Sequence, residues 1–262
     1  MSDLGGRIAA AIPAIVFAIF IVAEGGWWFA AGVIALGLIC MHELYLMLAE
    51  VRPARLAGFL ALIGMGIAAK TGGPHDVLLV AAASVAVTFV LTIAGPSAAG
   101  GVFGMAAVLL GVVWIGLAIA HAILLRDLPH GDGVLAAVLV GTFAGDTGAY
   151  FGGKAMGRTK LAPRISPNKT VEGLLFGMFT AILSVWIVNW YQAWIDTPDA
   201  LILGASVAVV APLGDLFESF IKRDVGTKDT GRLFGAHGGA LDRLDAVLFS
   251  LVVGYYVWNA LV

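Results

Sequence analysis

The sequence predicts an all-α, polytopic integral membrane protein with about nine transmembrane helices and a cytoplasmic N-terminus. Three observations carry that prediction. The 262 residues are 60% hydrophobic and only 12% charged, with a mean hydropathy of +0.98, whereas a soluble domain carries about 25% charge. The apolar residues fall in continuous runs of about 20, the length that crosses a hydrocarbon core, and not in the ~10-residue alternating strands of a membrane barrel. Finally, the Lys and Arg residues segregate. With nine spans and the N-terminus inside, all 15 except Lys70 and Arg126 fall on the cytoplasmic side, as the positive-inside rule requires.

The spans follow in order. The first runs from about Ile8 to Ala23 and is turned by Glu24-Gly25-Gly26. Further spans follow at once, so it reads as an anchor and not as a cleaved signal peptide. The second, Trp27 to Leu48, opens on an interfacial Trp pair and ends at the polar knot Glu50 to Arg55. A short third span reaches Ala69 and is closed by Lys70 to Pro74. The fourth covers Val77 to Ala94, broken by Gly95-Pro96-Ser97, and the fifth covers Val102 to Leu125. The sixth runs from Val134 to Phe151, followed by a polar segment from Lys154 to Glu172. The seventh, eighth and ninth cover Leu174 to Trp194, Leu201 to Ile221 and Ala246 to Val262. No repeat, soluble domain or long linker interrupts the series, so residues 1–262 read as a single transmembrane domain. The lone Cys40 lies in an apolar run with no metal-binding spacing around it and reads as a buried hydrophobe. Small-residue faces at Gly32 to Gly37 and Gly64-Met65-Gly66 permit close helix contacts, within one chain or in a homodimer.

Two polar segments, at about 146–173 and 214–245, stand out from this background. In the second, Asp215, Glu218, Ser219 and Lys222 are spaced i, i+3, i+4 and i+7, which puts them on one helical face. Carboxylates at the end of an apolar helix are costly against lipid and should line a hydrated cavity. Lys222-Arg223 and Lys228-Asp229 follow, then the Gly-rich turn Gly235-Ala236-His237-Gly238-Gly239, then Asp242-Arg243-Leu244-Asp245 at the head of the ninth span. Carboxylates on neighbouring helices make a hard oxygen site of the kind Mg²⁺ takes, with phosphate oxygens completing the shell. Interleaved Lys and Arg suit a polyphosphate. A positive-inside boundary accounts for the cations of this stretch, but not for its carboxylates and His237. In the first segment, Asp146 lies near the cytoplasmic end of the sixth span, Ser166-Pro167 is expected to fix a turn, and Thr170-Val171-Glu172 opens the next helix. No Walker-type phosphate loop is present, which excludes a P-loop enzyme. Glu43, inside the second span, reads equally as structural or functional.

The stretch Ser219-Phe220-Ile221-Lys222-Arg223, four residues, Lys228-Asp229, then His237-Gly238-Gly239, two residues, Asp242-Arg243-Leu244-Asp245 resembles the signature of phosphatidate cytidylyltransferases (CDP-diacylglycerol synthases). So do Gly214 to Ser219, Asp146 to Tyr150, and Ser166 to Gly173. The resemblance implies the reaction CTP + phosphatidate → CDP-diacylglycerol + pyrophosphate, dependent on Mg²⁺, with more than one metal ion expected. It implies metal ligation by Asp215, Asp242, Asp245 and Asp146. Catalytic roles fall to these first three and to Lys222, Arg223, Lys228, Asp229, His237 and Arg243. Substrate contacts fall to Asp146, Ser166, Lys169, Thr170, Ser219, Lys222, Arg223 and Arg243. Partners are then CTP, phosphatidate and the bilayer, with no nucleic acid, and the site faces the cytoplasm from a bacterial inner (plasma) membrane. One departure is visible: the family reads Pro-Gly-His-Gly-Gly in the turn, where this chain has Gly235-Ala236-His237-Gly238-Gly239. Loop geometry, and with it rate or nucleotide affinity, is expected to differ.

Two other readings compete. A CTP-dependent kinase of a polyprenyl or phytyl alcohol would attack the γ-phosphorus with a neutral hydroxyl and would need a general base. A cation-coupled transporter would favour broken helices at the bilayer midplane in paired halves, whereas the charges here cluster at one face of the C-terminal half.

Overall fold

A computed structural model describes residues 16–95, 98, 100–231 and 238–262. The start of the first predicted span, Arg7, Arg232, His237 and the Gly235-Ala236 turn lie outside the described residues. Within the described residues the chain forms nine α-helices and one short hairpin. These are α1 (residues 16–24), α2 (Gly26–Met47), α3 (Arg55–Thr71), α4 (Pro74–Ala94), α5 (Gly101–Asp127), α6 (Gly131–Met156), β1 (Lys160–Ala162), β2 (Ser166–Thr170), α7 (Val171–Asn189), α8 (Thr197–Asp224) and α9 (Leu241–Leu261). Seven of them, all but α1 and α3, are long and apolar enough to cross a membrane among the described residues. The 17-residue α3 is at the short end of what spans a hydrocarbon core.

Packing divides the chain into two compact units: residues 1–127 with 229–242, and residues 128–228 with 243–262. In the first unit, turn chemistry sets the helix boundaries. Gly25 (φ 65°) precedes α2, and Gly73 (φ 103°) followed by Pro74 starts α4, since glycine tolerates positive φ and proline suits a first helical turn. The core is built around Tyr45, which is fully buried, and its phenol donates to the Val108 carbonyl oxygen at 3.0 Å. Gly58 on α3 and Gly111 on α5 lie against its ring, where a Cβ at either would overlap the phenol. Met41, Leu44, Leu62, Met65, Ile115 and Ile123 are buried in the same unit. Immediately after Gly111, α5 widens into a π-turn at Val112–Gly116. The small-residue faces are filled within the unit: Gly32 meets Ile21, Gly37 meets Ile119 and Leu62, and Gly66 meets Ile34.

The second unit rests on close backbone approach between α6 and α7. Gly141, Gly145, Gly148 and Gly152 lie on one ridge of α6 and face Val185, Ala181, Thr180 and Phe176 of α7. Without a hydrophobic drive between helices in lipid, small residues let dispersion and backbone contacts hold the pair together. α8 packs on the same pair, with Gly204 against Ile182 and Val185. Buried Thr142 donates to Ser250 Oγ of α9 at 2.9 Å. Pro129 accepts from the Trp258 indole at 2.9 Å.

Two expectations need correction. Ser166-Pro167 does not form a turn: it begins β2, which pairs antiparallel with β1 in the register Lys160↔Thr170 and Ala162↔Ser166. The turn is at 163–165. Proline is tolerated in β2 because each strand of a two-stranded hairpin has a free edge. The seventh helix also ends earlier than Trp194, at Asn189, after which i→i+3 bonds such as Gln192 N–H to the Asn189 carbonyl tighten the chain. Trp194 is drawn off to stack on His130, with ring centroids 4.8 Å apart.

The packing around Tyr45 generates a stability prediction. Gly58→Ala overpacks the ring and costs about 1–3 kcal/mol, whereas Tyr45→Phe removes one hydrogen bond within the membrane and costs about 0.6 kcal/mol. Thermal unfolding in detergent should therefore rank Gly58→Ala below Tyr45→Phe, and the reverse order would show that the hydrogen bond dominates the packing.

Candidate active site

The polar residues of the second unit gather at the C-terminal end of α8. Its last turns carry Asp215, Glu218, Ser219 and Lys222 on one face, as their spacing predicts. Lys222 Nζ donates to Glu218 Oε2 at 2.6 Å, and the Glu218 side chain is only 1% exposed. Ser219 Oγ donates to Asp215 Oδ1 at 3.4 Å. Three other elements bring partners. β2 supplies Lys169, which forms an ion pair with Asp215 Oδ2. α6 supplies Asp146, within electrostatic reach of both Asp215 and Lys169. α9 supplies buried Asp245, which faces Glu218 and Asp215. Gly214 makes the last approach possible. A Cβ there would run into the Asp245 carbonyl oxygen and the Ala246 backbone, so only glycine lets α8 and α9 come together one residue before Asp215.

The hairpin that carries Lys169 is itself latched. Glu172, in the first turn of α7, accepts from the backbone N–H groups of Arg158 at 3.0 Å and Thr159 at 3.1 Å. Arg223 Nε donates to the Ile165 carbonyl at 3.2 Å, tying the hairpin turn to the end of α8. Thr170, expected on substrate, is buried and caps α7 by accepting from Gly173 N–H at 3.1 Å. Ser166 begins the same strand as Lys169 and is partly exposed.

Four carboxylates, Asp146, Asp215, Glu218 and Asp245, thus face two ammonium groups, Lys169 and Lys222. That excess of negative charge, made of hard oxygen donors, fits a divalent cation such as Mg²⁺ chemically. Among the described residues no three His, Cys, Asp or Glu side chains already form a ligand cluster. Mg²⁺ keeps several waters and takes one or two carboxylates together with substrate phosphates.

The first unit holds a separate polar cluster. Glu43, 5% exposed in the apolar α2, accepts from Ala240 N–H at 3.1 Å and Leu241 N–H at 2.9 Å, and the Thr230 hydroxyl oxygen lies 3.3 Å from its Oε2. Asp242 Oδ2 accepts from Thr230 N–H at 2.9 Å, Thr230 Oγ at 2.8 Å and Gly239 N–H at 2.7 Å. Gly238 has φ 82°, and a Cβ at Gly239 would strike the Glu43 carboxylate. Both signature glycines are therefore required by geometry. Of the other expected residues, Lys228, Asp229 and Arg243 are exposed, and His237 lies outside the described residues. Sequence reasoning left Glu43 undecided. Its signal was a carboxylate in an apolar run with no cation at i±3 or i±4, which has to find donors elsewhere.

The model of the cytidylyltransferase family matches residues 6–261. The phosphatidate cytidylyltransferase of Brucella suis biovar 1 (strain 1330) is 31% identical over 269 residues, covering 97% of this chain and 93% of that protein. The phosphatidate cytidylyltransferase of Synechocystis sp. (strain ATCC 27184 / PCC 6803 / Kazusa) is 45% identical over 118 residues, 44% of this chain and 39% of that protein. The uncharacterized protein YnbB of Escherichia coli (strain K12) is 36% identical over 157 residues, 58% of this chain and 53% of that protein. In these last two matches the chain spans about half the relative's length or less.

The two ion pairs at the end of α8 predict different costs. Lys222→Met leaves the buried Glu218 carboxylate without its ammonium partner and should destabilise by about 3–5 kcal/mol, much of it recovered in Lys222→Met/Glu218→Leu. Lys169→Met breaks a more exposed pair and should cost at most about 1 kcal/mol. Unfolding midpoints of the three variants check this ranking, and equal losses from the two lysine variants would contradict it.

Proposed function

The chain belongs to the cytidylyltransferase family, and on that footing we propose that it is a CTP:phosphatidate cytidylyltransferase. A phosphate oxygen of phosphatidate attacks the α-phosphorus of CTP. The bond from that phosphorus to the α–β bridging oxygen breaks, giving CDP-diacylglycerol and pyrophosphate. The phosphatidate cytidylyltransferases among its relatives support this reading, above all the one matched over 97% of the chain. The observation that carries it is the cluster of Asp215, Asp146, Asp245 and Lys169 assembled at the ends of apolar helices.

The chemistry explains the choice of residues. The nucleophile is already an anion at neutral pH, so no strong general base is needed, and the main barrier is repulsion between two anionic phosphates. Lys169, on the hairpin, and Lys222 and Arg223, on the last turn of α8, lower that repulsion and orient the phosphates by charge-assisted hydrogen bonds. Ser219 holds the Asp215 carboxylate, and Ser166 stands on the same strand as Lys169 to contact substrate. Asp215, with Asp146 and Asp245, would hold Mg²⁺, which when bound supplies neutralisation of phosphate charge. The lipid substrate remains in the leaflet and CTP arrives from the cytoplasm, so the site belongs at the inner face of a bacterial plasma membrane. The distribution of Lys and Arg supports that side. Lys70 and Arg126, the outer cations, are both bound locally, to Asp127 at 2.8 Å and to the Val22 carbonyl at 2.9 Å.

Purified protein incubated with labelled CTP, phosphatidate and Mg²⁺ should yield CDP-diacylglycerol and pyrophosphate. Phosphorylation of a lipid alcohol without CDP-diacylglycerol would instead establish a kinase. Asp215→Ala should lower kcat by more than the about 10–100-fold that loss of an outer-shell partner costs, while the protein still inserts and folds. Near-normal turnover would remove Asp215 from the reaction.

A further inference from the structure

We infer that Glu43, in the second helix and about 190 residues distant in sequence from the groups it binds, is a positioning residue for the reaction. It acts through the backbone N–H groups of Ala240 and Leu241 at the head of α9. This inference rests on the cytidylyltransferase reading above, but its geometry stands independently.

The carboxylate is matched to its donors one by one. Oε1 accepts from Ala240 N–H, while Oε2 accepts from Leu241 N–H and faces the Thr230 hydroxyl. Ala240 and Leu241 are the residues at which α9 starts. Their N–H groups have no intrahelical acceptor, and the positive end of the helix favours an anion. Glutamine cannot replace this arrangement, because it offers one acceptor oxygen where two are used and turns an NH₂ group toward an N–H donor. The chain also fits around Glu43 sterically: a Cβ at Gly231 or at Gly239 would strike the carboxylate. Residues from both ends of the 229–242 segment therefore press on the same side chain.

Thr230 extends the clamp to a residue of the reaction signature. Its hydroxyl lies 3.3 Å from Glu43 Oε2 and 2.8 Å from Asp242 Oδ2, and its N–H also donates to Asp242 Oδ2. Gly239 N–H closes the turn on the same oxygen. Asp242 thus accepts from Gly239 and Thr230, while Glu43 holds the N–H groups of the two residues between Gly239 and Asp242. Because Asp242 lies in the first turn of α9, the place where Glu43 holds that turn sets where the Asp242 carboxylate stands. Glu43 touches no substrate in this scheme. It determines how well the groups that do are aligned, and misplacement of such groups is expressed in turnover.

The test uses full-length protein in nanodiscs. Glu43→Gln should lower kcat about 10–100-fold, as loss of an outer-shell partner does, with KM for CTP little changed. Two variants at Thr230 separate alignment from packing. Thr230→Ser keeps the hydroxyl and should retain most of the turnover, whereas Thr230→Val keeps the volume and should fall as Glu43→Gln does. A purely packing role gives the opposite order. Hydrogen–deuterium exchange supplies a readout independent of activity: the amides of Gly239 to Leu241 should exchange faster in Glu43→Gln, with α6 and α7 unchanged. Wild-type turnover in Glu43→Gln, the reversed Thr230 order, or unaltered exchange at Ala240 and Leu241 overturns the inference. If the wild-type protein forms no CDP-diacylglycerol, the functional reading fails, while the exchange experiment still decides whether Glu43 holds the segment. If Glu43→Gln does not fold, the Thr230 pair decides the matter.

Discussion

Glu43 is a carboxylate inside a 22-residue apolar helix, and a charge in that position persists only if enough donors surround it. The chain meets this demand with the first N–H groups of its last helix, groups that would themselves be orphaned without an acceptor. Each side thus solves the other's problem. The residues around the bond follow from it. Gly231 and Gly239 lack side chains because the carboxylate occupies that space. Thr230 carries a hydroxyl because two acceptors, Glu43 and Asp242, lie within its reach. The polar signature at the start of α9 is therefore held by a residue far away in sequence, and its glycines reflect steric exclusion as much as loop freedom.

The second unit handles charge differently. There the carboxylates outnumber the ammonium groups, and the helices that bear them are brought close by glycine: Gly214 against the α9 backbone, and the Gly141 to Gly152 ridge of α6 against α7. The charged face of α8 supplies both signs itself, since Lys222 lies one turn beyond Glu218. The two-stranded hairpin then brings a cation, Lys169, to the Asp215 carboxylate of α8 from outside the helices.

Sequence alone determined the helical architecture and the shared polar face of α8. Apolar runs of spanning length fixed the helices to within a few residues, because in lipid the backbone has no other way to satisfy its hydrogen bonds. The i, i+3, i+7 spacing fixed the shared face of Asp215, Glu218 and Lys222, because helical geometry is local. Tertiary structure alone decided the rest. Lys169 with Asp215, Asp245 with Glu218, and Glu43 with Ala240 and Leu241 are pairs far apart in the chain, and their selection depends on which backbones can approach. The β-hairpin and the early end of α7 also escaped the sequence, since short polar segments lack the periodicity that marks a helix. Thr170 shows the same division at one residue: its spacing placed it at the start of a helix, but only the fold showed its hydroxyl turned inward as the cap of α7.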